Sequence, residues 1–530
     1  IDAWVKSGQE TEYRRSLWLP AGRWYRLELV FTKSGQGVKK PEQLRAKIEP
    51  ASISLSWKPP GRGEEIIPAR CLSPREVRET LILATPFPPD DRSTGFERGT
   101  SVSPEWDQAA TNAAIEVAGY VRQRFGDYCG VVVPEKQHEP SLREFCRRFV
   151  ERAFRRPLAP ELQSLYVDRQ FERAPDLTTA VERVVMMTLK SPRFLYLNQG
   201  GASADAYDFA SRLSFALWDS LPDGPLLGAA AAGQLATREQ LAAQAQRMAA
   251  DARFDAKLRE FFLQWLKVEQ ARELKKAPEL FPGFNADVAA DLRTSLELTL
   301  EDLLADEKAD FRRLLLSDEF DVNGRLAPVY GVELPGDSPF RKLAVNSGER
   351  AGLLTHPYLM ATFADASASS PIRRGVLVAR SVLGRTLLPP PDAVTPLPPT
   401  LHPDLTTRER ATLQTAAESC QSCHALINPL GFPFERFDAL GRLRTTDNQR
   451  AVDATGSYLS RSGETAKFDG ARSLAEYLAA SDEVHAALVE KLFYYLIKQP
   501  IRAYGSDALP TLRRQFADQG FNIRRLSADI

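Results

Sequence analysis

The sequence is poor in the residues that most often bind metals or haem, and its charges cancel. Its 530 residues include five cysteines, five histidines and four methionines. Lysine and arginine together number 69, as do aspartate and glutamate, so the formal net charge is zero. A neutral chain has no long-range field that attracts nucleic acid or anionic lipid. We therefore expect no nucleic-acid partner.

Long hydrophobic runs are also missing. A transmembrane helix needs about 20 mainly apolar residues, and the best candidate, 486–497, is shorter and contains Glu490 and Lys491. We expect no membrane-spanning segment in this chain. Its first residues contain neither an initiator methionine nor the basic and apolar segments of an export signal. We accordingly expect a processed chain or a piece of a longer one.

The hydrophobic pattern changes along the chain. Residues 24–31 and 53–57 alternate apolar and polar side chains, as strands do. From about residue 105, apolar residues recur every three or four positions, as in helices. Thr237, Asn285 and Thr406 are predicted helix starts, the two threonines with capping-box spacing. We predict a mainly α multidomain fold with a small N-terminal antiparallel β-sandwich fragment.

One motif carries recognisable chemistry. The pattern C-x-x-C-H occurs at Cys420, Cys423 and His424. It suits covalent attachment of haem c, because the two thiols can add across the two vinyl groups while the adjacent imidazole becomes the proximal iron ligand. We predict one covalent haem c, held by Cys420 and Cys423, with His424 on the iron. The motif is predicted to end a helix that begins near Thr406.

Two other interpretations of the cysteine pair stay open. A zinc site would need a second cysteine or histidine pair at comparable spacing, and the sequence has none. A disulfide or a thioredoxin-like redox pair is the other alternative. The thioredoxin-like site needs a βαβ context, whereas the pattern around the motif is helical.

The residues after the motif supply further candidates. Residues 428–431 read Asn-Pro-Leu-Gly and predict a turn, in which a backbone carbonyl accepts the Nδ1 proton of His424. Three phenylalanines are candidates to pack on the porphyrin and three arginines to pair with its propionates. They are Phe432, Phe434 and Phe437, and Arg436, Arg442 and Arg444. Core packing of the aromatic rings and solvent exposure of the arginines are the alternatives.

The sequence defines the distal side of the iron less well. Many electron-transfer cytochromes use a methionine downstream of the motif as the distal iron ligand. Here all four methionines precede the motif, so that arrangement is excluded. The nearest candidates are Met360 and His356, with His402 and His485 behind them. A core methionine and surface histidines are the alternatives. An iron with five ligands, or with water in the distal position, also stays open.

From about residue 143 to the C-terminus, the sequence resembles planctomycete and myxobacterial multidomain c-type cytochromes, whose helical domains flank a haem domain. The stretches that carry the resemblance are RAFRRPL (152–158), YDFASRLS (207–214), LWDSLPD (217–223), NGRLA (323–327), RAGLLT (350–355), SSPIRRG (369–375) and FDALGR (437–442). The resemblance implies export to the periplasm or cell surface, and redox chemistry there with an unidentified partner protein.

The resemblance also bears on the other cysteines. Relatives carry a cysteine pair in the region of Cys129 and Cys146, which implies a disulfide between these two residues in an oxidising compartment. Free buried thiols are the alternative. Cys71 has no evident partner in the sequence.

The N-terminal stretches LPAGRWYRLELVF (19–31) and ASISLSWKPPG (51–61) resemble the C-terminal half of the β-sandwich module first found in anthrax protective antigen. That module often binds sugars, so polysaccharide is a candidate partner. A structural spacer is the alternative.

We predict six segments and one leading function. The segments are a partial β-sandwich (1–70), a helical connector (71–140), a small helical domain (141–198), a helical domain (199–340), the haem-c domain (345–448) and a C-terminal helical domain (449–530). The leading function is electron transfer by an exported monohaem c-type cytochrome. The alternatives are a haem-dependent redox enzyme, peroxidase-like or sugar-oxidising, and a cell-surface polysaccharide-binding protein with an auxiliary haem domain. Whether the chain is an enzyme stays open.

Overall fold

The computed structural model describes residues 56–57, 67–68, 103–125, 128, 135–197, 204–268, 274–345, 348–387 and 402–530. Helices dominate these residues, and their sheets are two-stranded antiparallel pairs. The predicted mainly α multidomain fold is confirmed. The predicted β-sandwich over 1–70 lies outside the described residues, apart from β1 (Ser56–Trp57), which pairs with β2 (Ile67–Pro68).

The described residues between 103 and 197 form a helical unit with its own hydrophobic core. Its helices are α1 (Pro104–Arg122), α2 (Glu139–Phe154), α3 (Pro160–Gln163), α4 (Arg169–Arg173), α5 (Leu177–Leu189) and α6 (Pro192–Leu195). Val121 of α1, Val150 of α2 and Val184 of α5 are almost fully buried in this core. Amphipathic spacing of apolar residues explains why these helices pack together.

A second core extends through the elements between residues 204 and 530. Its first part contains α7 (Ala206–Trp218), α8 (Gly224–Ala231), α9 (Arg238–Ala249), α10 (Ala252–Trp265), α11 (Ala286–Ala305), α12 (Arg313–Leu316), β3 (Glu319–Val322), α13 (Ala327–Tyr330) and β4 (Arg341–Ala344). Strands β3 and β4 form a hairpin in which Phe320 faces Leu343. The buried residues of this core run from Ala210 to Leu526.

The rest of this core carries the motif. Its elements are α14 (Pro357–Thr362), α15 (Pro371–Leu377), α16 (Thr407–Gln414), α17 (Glu418–Gly431), β5 (Thr446–Asp447), β6 (Arg450–Ala451), β7 (Gly456–Leu459), β8 (Thr465–Phe468), α18 (Ala471–Ala480), α19 (Asp482–Ile497), α20 (Ala508–Asp518) and α21 (Ile523–Asp529). Strand β5 pairs with β6, and β7 pairs with β8, and these two hairpins precede the four C-terminal helices. Among the described residues, no helix is both long and apolar enough to cross a membrane.

The three predicted helix starts are confirmed. Thr237 and Thr406 form capping boxes with Gln240 and Glu409, and the Asn285 side chain accepts hydrogen bonds from the first turn of α11. Such caps satisfy amide groups that have no partner within the helix. The helix that starts after Thr406 nevertheless ends at Gln414. The prediction that this helix carries the C-x-x-C-H motif is therefore wrong, because the motif lies in the separate helix α17.

Candidate functional site

The motif helix α17 presents Cys420, Cys423 and His424 on one face. Residues three and four positions apart are neighbours on a helix surface, so the two thiols and the imidazole share a side. All three side chains are partly exposed, and the two thiols are not joined to each other. The Ser422 hydroxyl lies 3.8 Å from the Cys423 sulfur. Both sulfurs are thus accessible for reaction with an external group.

The imidazole of His424 is oriented by a side chain one turn along the helix. Its Nδ1 lies 2.9 Å from Oδ1 of Asn428. The Asn428 amide nitrogen donates to the Thr415 hydroxyl at 2.8 Å, and that hydroxyl donates to the Ala411 carbonyl at 2.8 Å. Since the amide oxygen of Asn428 can only accept, Nδ1 carries a proton, and in the neutral imidazole the lone pair is then on Nε2. Nε2 is then the metal-binding nitrogen.

This arrangement corrects one sequence prediction. Residues 428–431 do not form a turn, because α17 continues through Pro429 to Gly431. The group facing Nδ1 of His424 is consequently a side-chain amide rather than a backbone carbonyl. Both Asn428 and Thr415 are buried, with 6% and 3% exposed surface, so water competes little for their hydrogen bonds.

Helix α15 lies against α17 at backbone contact distance. A methyl group on Gly375 would overlap the carbonyl oxygen of Ile427, and one on Gly431 would overlap the carbonyl oxygen of Pro371. Only glycine allows backbones to approach so closely. The two glycines therefore fix the position of the C-terminal half of the motif helix.

The segment that follows the motif helix is held by a buried arginine. Arg374, on α15, is fully buried, and its guanidinium donates to the carbonyls of Phe434, Phe437, Asp438 and Met360 at 2.7–3.2 Å. Burial is the main cause that lowers the pKa of Arg374 to about 10. A group with that pKa is still charged at neutral pH, and its charge is balanced by these carbonyl dipoles and by Glu435 at 3.9 Å.

The two predicted distal-ligand candidates lie in the interior. His356 is fully buried, and its Nε2 lies 3.1 Å from the Ser295 hydroxyl and 3.3 Å from that of Tyr330. Its Nδ1 accepts from the Tyr358 amide at 3.2 Å. Burial is the main cause that lowers the pKa of His356 to about 3, so the ring is neutral. Met360 is 1% exposed. A distal role for either residue stays a prediction.

The other two candidate histidines occupy different surroundings. His485 is buried in α19, where Nε2 donates to the Ala479 carbonyl at 2.9 Å and the ring lies 4.3 Å from that of Phe521. His402 is partly exposed, at the start of the segment that leads to α16. The contacts of His356 and His485 are thus made with residues outside the motif helix.

The aromatic and basic residues after the motif have partners within the protein. Phe434 and Phe437 are at most 1% exposed and belong to the main core, whereas Phe432 stacks under the guanidinium of Arg408. Each of the three arginines pairs with a carboxylate. The pairs are Arg436 with Glu349, Arg442 with Asp438, and Arg444 with Glu435 and Asp447. Porphyrin or propionate contacts by these residues stay predictions.

The remaining cysteines fall largely outside the described residues. Cys129 and Cys71 are both outside them, while Cys146 is buried in α2. The disulfide between Cys129 and Cys146 stays a prediction. Within the described ranges, no cluster of three or more His, Cys, Asp or Glu side chains is arranged to hold a metal ion.

Three family models match successive parts of the chain. Residues 204–332 match DUF1592, residues 350–447 match DUF1588 and residues 462–530 match DUF1585, each described as a protein of unknown function. The chain thus carries the domains of the planctomycete cytochrome-c-associated family. The DUF1588 match contains the whole motif helix. No curated protein and no solved structure matches the chain.

Within the DUF1588 domain, sequence reasoning missed the residues that support the motif. Arg374 and Gly375 stand in the stretch SSPIRRG, which carried the family resemblance but received no role. The sequence predicts Asn428 as part of a turn and gives Thr415 no role. A signal for Asn428 was available, because it lies four residues after His424 and thus on the same helix face. No local signal marks Thr415, since its partner Asn428 is 13 positions away.

Proposed function

We propose that the chain is an exported monohaem c-type cytochrome that transfers electrons through a haem bound covalently to Cys420 and Cys423. The observation that carries the proposal is the face of α17, on which two accessible thiols lie beside an imidazole whose Nδ1 is already engaged by Asn428. The DUF1592, DUF1588 and DUF1585 domains, which are typical of cytochrome-c-type proteins, support a function of that class.

The residues of the site fit the group that the motif implies. Each thiol can add its S–H across one vinyl group, which leaves a thioether bond at Cys420 and another at Cys423. His424 would bind the iron through Nε2, because its other nitrogen is engaged. When bound, the haem supplies a reversible one-electron change at its iron. The residues of α17 would hold the group, and the contacts of α17 with α15 keep that helix in place.

The proposal includes the compartment and the partner. Haem c is attached outside the cytoplasm in bacteria of the family that the chain resembles, so we place the protein in the periplasm or at the cell surface. Because the net charge is zero, long-range attraction does not steer a redox partner, and the partner must recognise a local surface. A protein partner exchanging electrons at the exposed face of α17 is consistent with this requirement.

Covalent attachment is tested by expressing the chain with a bacterial haem c maturation system. We expect the mass of the purified protein to increase by one haem, and haem staining to persist after denaturation. Cys420→Ala combined with Cys423→Ala should abolish both signals. Ser422→Ala is the matched control, because Ser422 is exposed between the two cysteines and has no proposed role. Covalent haem in the double cysteine variant would contradict the proposal.

Visible spectroscopy of the loaded protein separates electron transfer from catalysis. A low-spin iron with two protein ligands in both oxidation states supports electron transfer, since neither state then offers a free coordination position to a substrate. A high-spin ferric form that reacts with peroxide would instead indicate a haem enzyme.

A further inference from the structure

We infer that Asn428, held by Thr415, is a positioning residue that fixes which nitrogen of His424 faces the haem iron and sets the strength of that nitrogen as a ligand. The inference rests on the proposed function for its effect on haem, but the hydrogen bonds that carry it lie within the chain itself.

The direction of each hydrogen bond in this chain of contacts is determined. The Thr415 hydroxyl has one proton, which it gives to the Ala411 carbonyl. It can therefore only accept from Asn428, which turns the Asn428 nitrogen towards Thr415 and the oxygen towards His424. An amide oxygen cannot donate, so the imidazole must supply the proton from Nδ1.

Thr415 lies at the junction between two helices. It directly follows Gln414, the last residue of α16, and it precedes the motif helix by three residues. Besides binding Asn428 through its hydroxyl, it accepts a hydrogen bond at its carbonyl from the side chain of Gln421, which lies between the two cysteines. Thr415 consequently fixes the motif helix at two points, one at the cysteines and one beyond the histidine.

Such an acceptor affects the ligand nitrogen electronically. A hydrogen bond from Nδ1 increases electron donation from Nε2, and the residues that make such bonds typically change metal affinity by about 10- to 100-fold. Stronger donation favours the ferric over the ferrous iron. Loss of the Asn428 acceptor should therefore raise the reduction potential of the bound haem.

The first measurement needs no haem. Nitrogen NMR of the haem-free protein distinguishes the two neutral tautomers of His424. We expect the wild type to hold the proton on Nδ1. Asn428→Leu should lose this preference, and Thr415→Val should weaken it because the amide is then free to rotate. Thr412→Val is the matched control, since the Thr412 hydroxyl makes the same bond to the carbonyl four residues back but does not contact Asn428.

The second measurement is the reduction potential of the loaded protein. In Asn428→Leu, a tenfold smaller preference for the ferric state would raise the potential by about 59 mV for a one-electron couple. Asn428→Asp keeps an acceptor at the same position and adds negative charge, so it should keep the proton on Nδ1 and lower the potential. Helix content and unfolding midpoints show whether each variant is folded.

The outcomes separate this inference from the proposed function. If the wild type attaches no haem, the proposed function fails, while the tautomer of His424 still decides the role of Asn428. If haem attaches but Asn428→Leu leaves both tautomer and potential as in the wild type, the inference is overturned and the cytochrome assignment stands. A wild-type protein with the proton on Nε2 would also overturn it.

Discussion

The close contact between α15 and the motif helix α17 makes a specific mutational prediction. Alanine at Gly375 would place a methyl group against the Ile427 carbonyl, and alanine at Gly431 would place one against the Pro371 carbonyl. Both neighbours are backbone atoms, which cannot move aside as a side chain can. The two helices must therefore separate, and the residues packed around them must shift.

The size of the effect follows from two opposing contributions. Alanine is intrinsically better than glycine inside a helix by about 1 kcal/mol, so Gly375→Ala without the contact would be stabilising. Overpacking of a well-filled interior costs typically about 1–3 kcal/mol, occasionally more. Since the overlap here involves backbone on both sides, we expect overpacking to dominate. With the upper end of that range and the intrinsic gain subtracted, the predicted net result is a loss of about 2 kcal/mol in the free energy of unfolding.

Denaturant unfolding measures this change in the free energy of unfolding. The variants to compare are Gly375→Ala, Gly431→Ala and one control. Gly228→Ala is the control, because Gly228 lies in helix α8 of the same core and has open space where the methyl group would stand. It should stabilise the protein by up to about 1 kcal/mol. We also expect less covalent haem in Gly375→Ala, since Ile427 precedes Asn428. If Gly375→Ala stabilised the protein as Gly228→Ala does, the close approach of the helices would be refuted.

Two further predictions concern buried charges. Arg374→Met should lower the free energy of unfolding by about 3–5 kcal/mol, because the buried carbonyls of the segment after the motif helix lose their donor and Glu435 keeps only Arg444 as a cation. Arg373→Met, which removes an exposed ion pair, should cost less than about 1 kcal/mol, and equal losses in chemical denaturation would contradict the role of Arg374. Burial and the nearby Asp302 raise the pKa of Asp321 to about 7, so the folded protein holds a proton that the unfolded chain releases above about pH 4. The free energy of unfolding should therefore fall between about pH 4 and pH 7, by up to about 1.4 kcal/mol per pH unit, and level off above pH 7. Denaturant unfolding at a series of pH values should show this slope in the wild type but not in Asp321→Asn.

The sequence predicted well those features that depend on neighbouring residues. The helix starts after Thr237, Asn285 and Thr406 follow from side chains that bind amides two or three positions away. The mainly α fold follows from helical periodicity over hundreds of residues. The motif itself is local, since its chemistry needs only the spacing of two thiols and an imidazole.

Features that depend on distant residues were not predictable in this way. Asn-Pro-Leu-Gly has the composition of a turn, yet α17 continues through it. Pro429 is tolerated inside the helix, and Gly431 is there because the Pro371 carbonyl of another helix lies against it. A glycine that permits close packing and a glycine that permits a turn are identical in a single sequence, so only the three-dimensional contact distinguishes them.

The stretch SSPIRRG illustrates how adjacent residues can support different parts of the site. Gly375 allows α15 to contact the motif helix itself, whereas Arg374 donates to the carbonyls of the irregular segment that follows it. Buried carbonyls outside regular structure need donors, and one guanidinium supplies several. Replacement of Gly375 should therefore first displace the helix that carries His424. Replacement of Arg374 should first displace the segment from Phe434 to Asp438. The two effects can be separated by comparing covalent haem in variants of Gly375 and Arg374 that lower the free energy of unfolding equally. The Gly375 variant should attach less haem, because only the helix bears the ligands that we propose.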